Sequence, residues 1–168
     1  MKKLIVSMLF LPLGLHAQQP FTIRDVLLTM PDSLAPYLSH DNRLDLFDYV
    51  DAKMTPEVTN ELQGRTRLVS MGTDSLVLKM NDSHELMVYL FETEEEVDSA
   101  HQVIALSHSY KLSTGQQDCT LRFFSHRWQA ISQPTMLSSS QRARLREAKS
   151  TLLRRDEEVL SREPITQR

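Results

Sequence analysis

From Arg65 to Trp128 the chain alternates apolar and polar residues in short runs separated by turn residues, and a side-chain period of two commits this half of the molecule to β-sheet. Arg65 to Met71 reads as one strand, Gly72, Thr73 and Asp74 as a turn, and Leu76, Leu78 and Met80 as one face of the next strand. After a turn at Asn81, Asp82 and Ser83, Leu86, Val88 and Leu90 share one face while Met87, Tyr89 and Phe91 share the other. Apolar residues on both faces mark a strand covered on both sides. His101 to Tyr110 and Cys119 to Trp128 continue the pattern, giving a meander of about five antiparallel strands. Between them, the run Glu92 to Ser99 carries Glu92, Glu94, Glu95, Glu96 and Asp98, which repel one another and resist burial, so it reads as an exposed loop or helical turn.

The residues before the sheet carry helix signals. Thr22 is a cap for a short helix with Ile23, Val26, Leu27 and Met30 on one side, stopped by Pro31; Asp32 or Ser33 caps a turn containing Leu34. Ser39 to Met54 reads as a helix with Leu44, Phe47, Val50 and Met54 inward and Asn42, Arg43, Asp45 and Asp48 outward. Thr55, Pro56 and Glu57 resemble a cap, a first-turn proline and a first-turn acid, which predicts one more short helix ending near Gly64. After Pro134 a serine cap opens a long arginine-rich helical run ended by Pro164, with Leu145, Ala148, Leu152, Leu153, Val159 and Leu160 as its stripe. The expected class is α+β: N-terminal helices over about 22–63, antiparallel strands over about 65–128, and a long C-terminal helix.

Met1 to Ala17 has the three parts of a secretory signal: Lys2 and Lys3, the apolar run Leu4 to Leu15, and Ala17 before a cut. The apolar run falls short of the ~20 residues that span a bilayer, so no transmembrane segment is expected after signal removal. That leaves residues 18–133 as a single domain and 134–168 as the terminal helix and tail, in a periplasmic or secreted protein. Removing Lys2 and Lys3 takes the formal charge from -3 to about -5, a mild acidity that argues against nucleic acid as partner. Cys119, the only cysteine, cannot form an internal disulfide; its phase with Leu121 and Phe123 marks it as a buried, inert thiol.

Serine nucleophile elbows, phosphate-cradling glycine loops and CxxC pairs are absent from the sequence. Asp41, Asp45 and Asp48, spaced four and three apart, share one helix face where carboxylates can hold a cation or share a proton, although a solvated face is the simpler reading. Arg43 and the missing glycine exclude a calcium-binding EF-hand loop there. Five histidines follow the signal, His40, His84, His101, His108 and His126, none at the spacing of a helical zinc motif. If the last two strands pair around a Lys111 to Gln116 turn, His101 faces His126 and His108 faces Cys119. The surface candidates are therefore Asp41, Asp45, Asp48, His101 and His126, with no catalytic, cofactor or metal ligand assigned and no cofactor expected. Tyr110, Phe123, Phe124 and Trp128 are either core or a stacking platform.

The segments MPDS (Met30 to Ser33), PYL (Pro36 to Leu38), NRLDLFDYVDAKM (Asn42 to Met54), EVTN (Glu57 to Asn60) and TDSL (Thr73 to Leu76) resemble an exported family of Bacteroidales bacteria, domain of unknown function three-two-five-six. The resemblance runs from about Ile23 to Trp128 and leaves the arginine-rich segment outside. It implies export from a Gram-negative cell and a single domain, and it supplies no activity and no site residues. The functional expectation is a non-catalytic envelope module that binds an unknown envelope protein or glycan. The alternatives are a periplasmic hydrolase using Asp45, Asp48 or a histidine, and a carrier of a small apolar ligand. Intact-mass measurement of protein recovered from the native envelope is expected to give a chain starting at Gln18; a chain retaining residues 1–17 would refute the export signal.

Overall fold

The computed structural model describes residues 21–132 and 138–143. Helix α1 (Ile23–Thr29) starts where expected, and Thr22 and Asp25 close a reciprocal capping box: the Thr22 hydroxyl accepts from the Asp25 amide, and the Asp25 carboxylate accepts from the Thr22 amide at 2.8 Å. A 3-10 turn (Asp32–Leu34) follows, then helix α2 (His40–Asp51), capped by Ser39 accepting from the Asn42 amide at 3.2 Å.

Seven strands form one antiparallel sheet in sequential order: β1 (Glu57–Thr59), β2 (Arg65–Met71), β3 (Ser75–Asn81), β4 (His84–Val97), β5 (Ala100–Lys111), β6 (Gln117–Ser125) and β7 (Ala130–Ile131). The two strands beyond the expected five are the short edges β1 and β7. Strand alternation then sorts the side chains. Leu76, Leu78, Leu86, Val88, Ile104, Leu106 and Phe124 join Val26, Leu27, Leu46 and Phe47 in the main core, so α1 and α2 cover this face. Phe91 and Ala105, with Tyr89 and Phe123 packed beside them, form a smaller cluster on the opposite face.

Three expectations are corrected. The predicted helix after Thr55 is the edge hairpin β1–β2. Its turn is held by Asn60, whose side-chain oxygen accepts from the amides of Leu62 and Gly64 at 3.1 and 3.0 Å while its amide donates to Met80 O and Thr66 Oγ1. A Cβ on Gly64 would lie 3.3 Å from the Asn60 amide, so the glycine serves close approach rather than a helix exit. Pro56 is tolerated because it lies at the sheet edge, where its carbonyl accepts from the Leu68 amide at 2.9 Å.

The acidic run is strand rather than loop. β4 and β5 extend to a two-residue turn at Asp98 and Ser99, both with positive φ (52° and 67°), as hairpin turns of the I′ type require. The carboxylates avoid burial by remaining exposed along the ribbon at Glu92, Glu94, Glu95 and Glu96, and Asp98 accepts from Ser125 Oγ at 2.8 Å.

The stripe of α2 is rotated from its expected position. Leu44 and Met54 are exposed, whereas Leu46, Phe47 and Arg43 are buried. Arg43, 1% exposed, donates to the carbonyls of Leu27 (3.2 Å), Met30 and Ser39 and pairs with the Asp32 carboxylate. The end of α1 leaves carbonyls without helical partners, and the guanidinium satisfies two of them inside the core.

The long C-terminal helix expected after Pro134 lies outside the described residues except for its start. There Ser138 caps the Gln141 amide, and Gln141 Nε2 donates to Glu92 O at 2.7 Å.

Removing one partner of a buried charged cluster strands the others, typically at ~3–5 kcal/mol, whereas an exposed partner is worth ~1 kcal/mol or less. Urea unfolding of Arg43→Met should therefore show a loss of about 3 kcal/mol, and Asp32→Asn less than about 1 kcal/mol. Equal losses would place the stabilisation in the ion pair instead of the carbonyl contacts.

Candidate functional site

A cluster of titratable side chains lies at the end of the sheet where β4 begins and β5 ends. His84 sits directly across from Tyr110 in the β4–β5 register, and the two rings stack at 4.3 Å between centroids. His108 lies diagonally from His84, and His84 Nε2 is 3.0 Å from His108 Nδ1. From the segment before α2, Tyr37 brings its hydroxyl to 2.7 Å from His84 Nδ1. Both ring nitrogens of His84 are thus hydrogen-bonded, and the imidazole is 2% exposed.

Tyr37 adopts φ 57°, a left-handed conformation that costs a non-glycine residue roughly 1–2 kcal/mol. Its carbonyl is held by the Glu61 amide at 3.0 Å and its phenol by His84, so both ends of the residue are fixed around the strained backbone.

Burial, followed by the neighbouring His108, pushes the His84 imidazole down to about 4. Burial and then the Arg122 guanidinium lower His108 as well. Both rings are therefore neutral at pH 7, and two neutral rings with one mutual hydrogen bond impose a direction on the chain. Burial and the neighbouring Tyr110 raise the Tyr37 phenol, opposed by a side-chain hydrogen bond from Asn81. Tyr37, His84 and His108 thus form one hydrogen-bonded chain in which the donor at each link follows the tautomers of the two rings. Because each ring shares its hydrogen bonds with the next, the tautomers of His84 and His108 are coupled.

A separate cavity of about 490 Å³ lies beside the middle of β4, away from His84. Leu90, Phe91 and Phe21 give it apolar surface, and Glu92, Gln102 and Thr73 give it polar surface. Three hydrogen bonds tie its walls together: Leu90 N to Asp74 O at 2.8 Å, Gln102 Nε2 to Phe21 O at 3.2 Å, and Gln141 Nε2 to Glu92 O at 2.7 Å.

The residues singled out from the sequence lie elsewhere. Asp41, Asp45 and Asp48 occupy the solvent face of α2, and His101 is exposed on β5. His126, half-buried, lies edge-on to Phe21 at 6.3 Å between centroids. The expected cross-strand pairs are off by one residue: His108 is opposite Thr120 and Cys119 is opposite Ser109, to whose hydroxyl its thiol donates at 3.4 Å. β5–β6 pairing ends at Val103 and Ser125, so His101 and His126 do not face each other. Tyr110, Phe123, Phe124 and Trp128 form no single platform, because Phe123 and Phe124 occupy opposite faces and Phe124 packs on Trp128 at 5.4 Å.

His84 and His108 were visible as histidines, but their meeting depends on the β4–β5 register. Between the pairs Glu92–Gln102 and Val97–Ala100, residues 93–96 of β4 oppose the single residue 101 of β5. Counting back from the turn would have misplaced every partner. Among the described residues no group of three or more His, Cys, Asp or Glu side chains converges to hold a metal ion, and no helix is long and apolar enough to cross a membrane.

Residues 13–157 match the family described as protein of unknown function (DUF3256), and the chain belongs to that family. The match reaches well into the arginine-rich segment, which the sequence resemblance had left outside. No curated protein matches the sequence. Among solved structures, the chain is similar to a domain of an uncharacterized protein from Porphyromonas gingivalis W83, at 16% identity and a TM-score of 0.48, covering 66% of this chain. The chain spans 57% of that structure's length.

The lowered imidazoles set a pH dependence. A histidine whose folded pKa lies below its unfolded value contributes stability that is complete above the unfolded pKa near 6.5 and is lost as pH falls toward the folded value. For His84 this predicts a loss of about 3 kcal/mol between pH 6.5 and pH 4, levelling off below. Thermal melts across that range should show the fall, and His84→Gln should flatten it while lowering stability at pH 7. An unchanged slope in the variant would assign the acid sensitivity to other groups.

Proposed function

We propose that this protein is a non-catalytic, exported binding module of the cell envelope whose ligand site is the cavity beside β4. The observation that carries this reading is the construction of that cavity. Hydrogen bonds tie the middle of β4 to the β2–β3 turn and to the start of the terminal helix, and tie Gln102 of β5 to the entry of α1, so the site is shaped before a ligand arrives. A volume of about 490 Å³ lies in the usual range for small-ligand sites and suits a sugar ring or a few residues of an extended peptide. Its aromatic and amide lining fits a glycan or protein segment of the envelope, where Phe21 offers a stacking surface and Gln102 a hydrogen-bonding group. The Tyr37–His84–His108 array lies where β4 begins, away from this cavity, and its role in the proposal is to order the fold.

Export rests on residues 1–17 and on the family resemblance, and the α+β description with a long terminal helix rests on the sequence of residues 134–168. The carrier reading shares the same cavity; Glu92 and Asp74 on its wall favour a ligand with polar groups over a purely apolar one.

Site-specific photocrosslinking in the native envelope tests the proposal. A photoreactive phenylalanine analogue replacing Thr73 at the rim should give an adduct of defined mass, and the same analogue replacing Asp48 on the outer face of α2 should give none. Equal labelling at both positions, or none at either, would overturn the cavity as the ligand site.

A further inference from the structure

We propose that the arginine-rich C-terminal segment docks on the outer face of its own sheet, as a helix that starts beside Glu92 and runs back along β4 to Glu85. Leu145, Ala148 and Leu152 would sit on Phe91, Tyr89 and Met87. The face in question is apolar and enclosed. α1 and α2 pack on the opposite face, yet Phe91 is 2% exposed, Met87 7% and Ala105 0%. Among the described residues, Tyr89 and Phe123 are the apolar side chains packed against the cluster of Phe91 and Ala105, and both are themselves only partly buried. A sheet face left to water keeps its side chains accessible, so this one calls for a cover.

The path of the chain supplies that cover. β7 lies three strands from β4 in the sheet, a separation of about 14 Å. Residue 138 is already close to β4, because Gln141, one turn later, donates to Glu92 O at 2.7 Å. The six peptide units from residue 132 to residue 138 reach about 21 Å at most. Detours around either end of the strands exceed that reach, so the connection crosses a face of the sheet. The inner face is filled by α1 and α2, which leaves the outer one.

The phase of the helix selects its contacts. Residues 139–143 are helical, and Gln141 is half-buried while its neighbours on either side are exposed. Leu145, Ala148 and Leu152 follow Gln141 at helical intervals and therefore share the face that meets β4. Beyond Glu92 the strand continues as Thr93, Glu94, Glu95 and Glu96, which offers leucines nothing apolar, so the helix runs the other way. A helix rises about 1.5 Å per residue and a strand about 3.3 Å, which brings Leu145, Ala148, Leu152 and Arg155 alongside Phe91, Tyr89, Met87 and Glu85 in turn. The smallest residue of the stripe then meets the Tyr89 ring, and Arg155 meets a carboxylate. Charge agrees along the whole length: residues 142–155 carry Arg142, Arg144, Arg146, Lys149, Arg154 and Arg155 against the single acid Glu147, while β4 carries Glu85, Glu92, Glu94, Glu95 and Glu96. The family match continues to residue 157, just past this contact. Docking would also hold Gln141 on the wall of the cavity, whatever that cavity binds.

The full mature chain tests this in two ways. In a Cys119→Ser background, Met87→Cys combined with Leu152→Cys should form an intramolecular disulfide on mild oxidation, whereas Met87→Cys combined with Glu147→Cys, on the far side of the helix, should not. A double-mutant cycle leaves the buried methionine intact: Arg155→Glu should lower the melting temperature by about 3 °C, and the same change in a Glu85→Gln background should have little effect. A folded Met87→Cys and Leu152→Cys pair that does not crosslink, or crosslinking equal to that of the Glu147→Cys pair, would overturn the proposal. So would an Arg155→Glu loss that is the same in both backgrounds, which decides the matter even where the cysteine pair does not fold.

Discussion

The helical layer depends on where one guanidinium goes. Arg43 leaves α2 in the direction expected of a core residue and ends among the carbonyls that α1 exposes at its last turn. Those carbonyls have no helical partner, water does not reach them once α1 lies on the sheet, and a buried unsatisfied acceptor costs roughly 1–3 kcal/mol. By satisfying them, Arg43 joins α1, the 3-10 turn and α2 into one layer, and the same rotation of α2 sets Leu46 and Phe47 against the sheet while exposing Leu44. The Asp32 carboxylate at its other side is largely exposed, so the contact is better understood as helix capping by a side chain from elsewhere than as a buried salt bridge.

That layer in turn positions Tyr37. The residue lies between the 3-10 turn and α2, and with both flanking elements fixed its left-handed backbone places the phenol over His84. The histidine pair therefore has two origins, a strand register that brings His84 and His108 together and a helical layer that closes them from above. Its neutral rings are a consequence of that enclosure, because an imidazolium removed from water beside another imidazole and an arginine is disfavoured.

Much of the framework was legible in the chain. Thr22 caps the helix it was expected to cap, α2 starts within a residue of its expected start, and β2 and β3 begin and end within a residue of the alternation that announced them. Errors arose where a local signal had two physical solutions. Thr55–Pro56–Glu57 satisfies a helix start, but Val58, Asn60 and Gly64 also satisfy an edge hairpin, and the hairpin buries Val58 at 6% exposure. The acids of 92–98 exclude burial without excluding strand, because a two-stranded ribbon leaves its side chains in water. None of the surface candidates Asp41, Asp45, Asp48, His101 and His126 belongs to the histidine array or lines the cavity, since both are assembled from segments distant in the chain.

The sequence by itself determined the sheet, the phase of its inward residues and the caps of its helices, because these follow from contacts within a few residues. Only the tertiary structure decided the register of β4 on β5, in which residues 93–96 are absorbed against residue 101, and the destination of Arg43. A bulge is placed by the balance of twist and burial over the whole hairpin, and a long side chain by whichever buried acceptors another element leaves open. Both are long-range quantities, and together they determine which histidines meet and how the helical layer lies on the sheet.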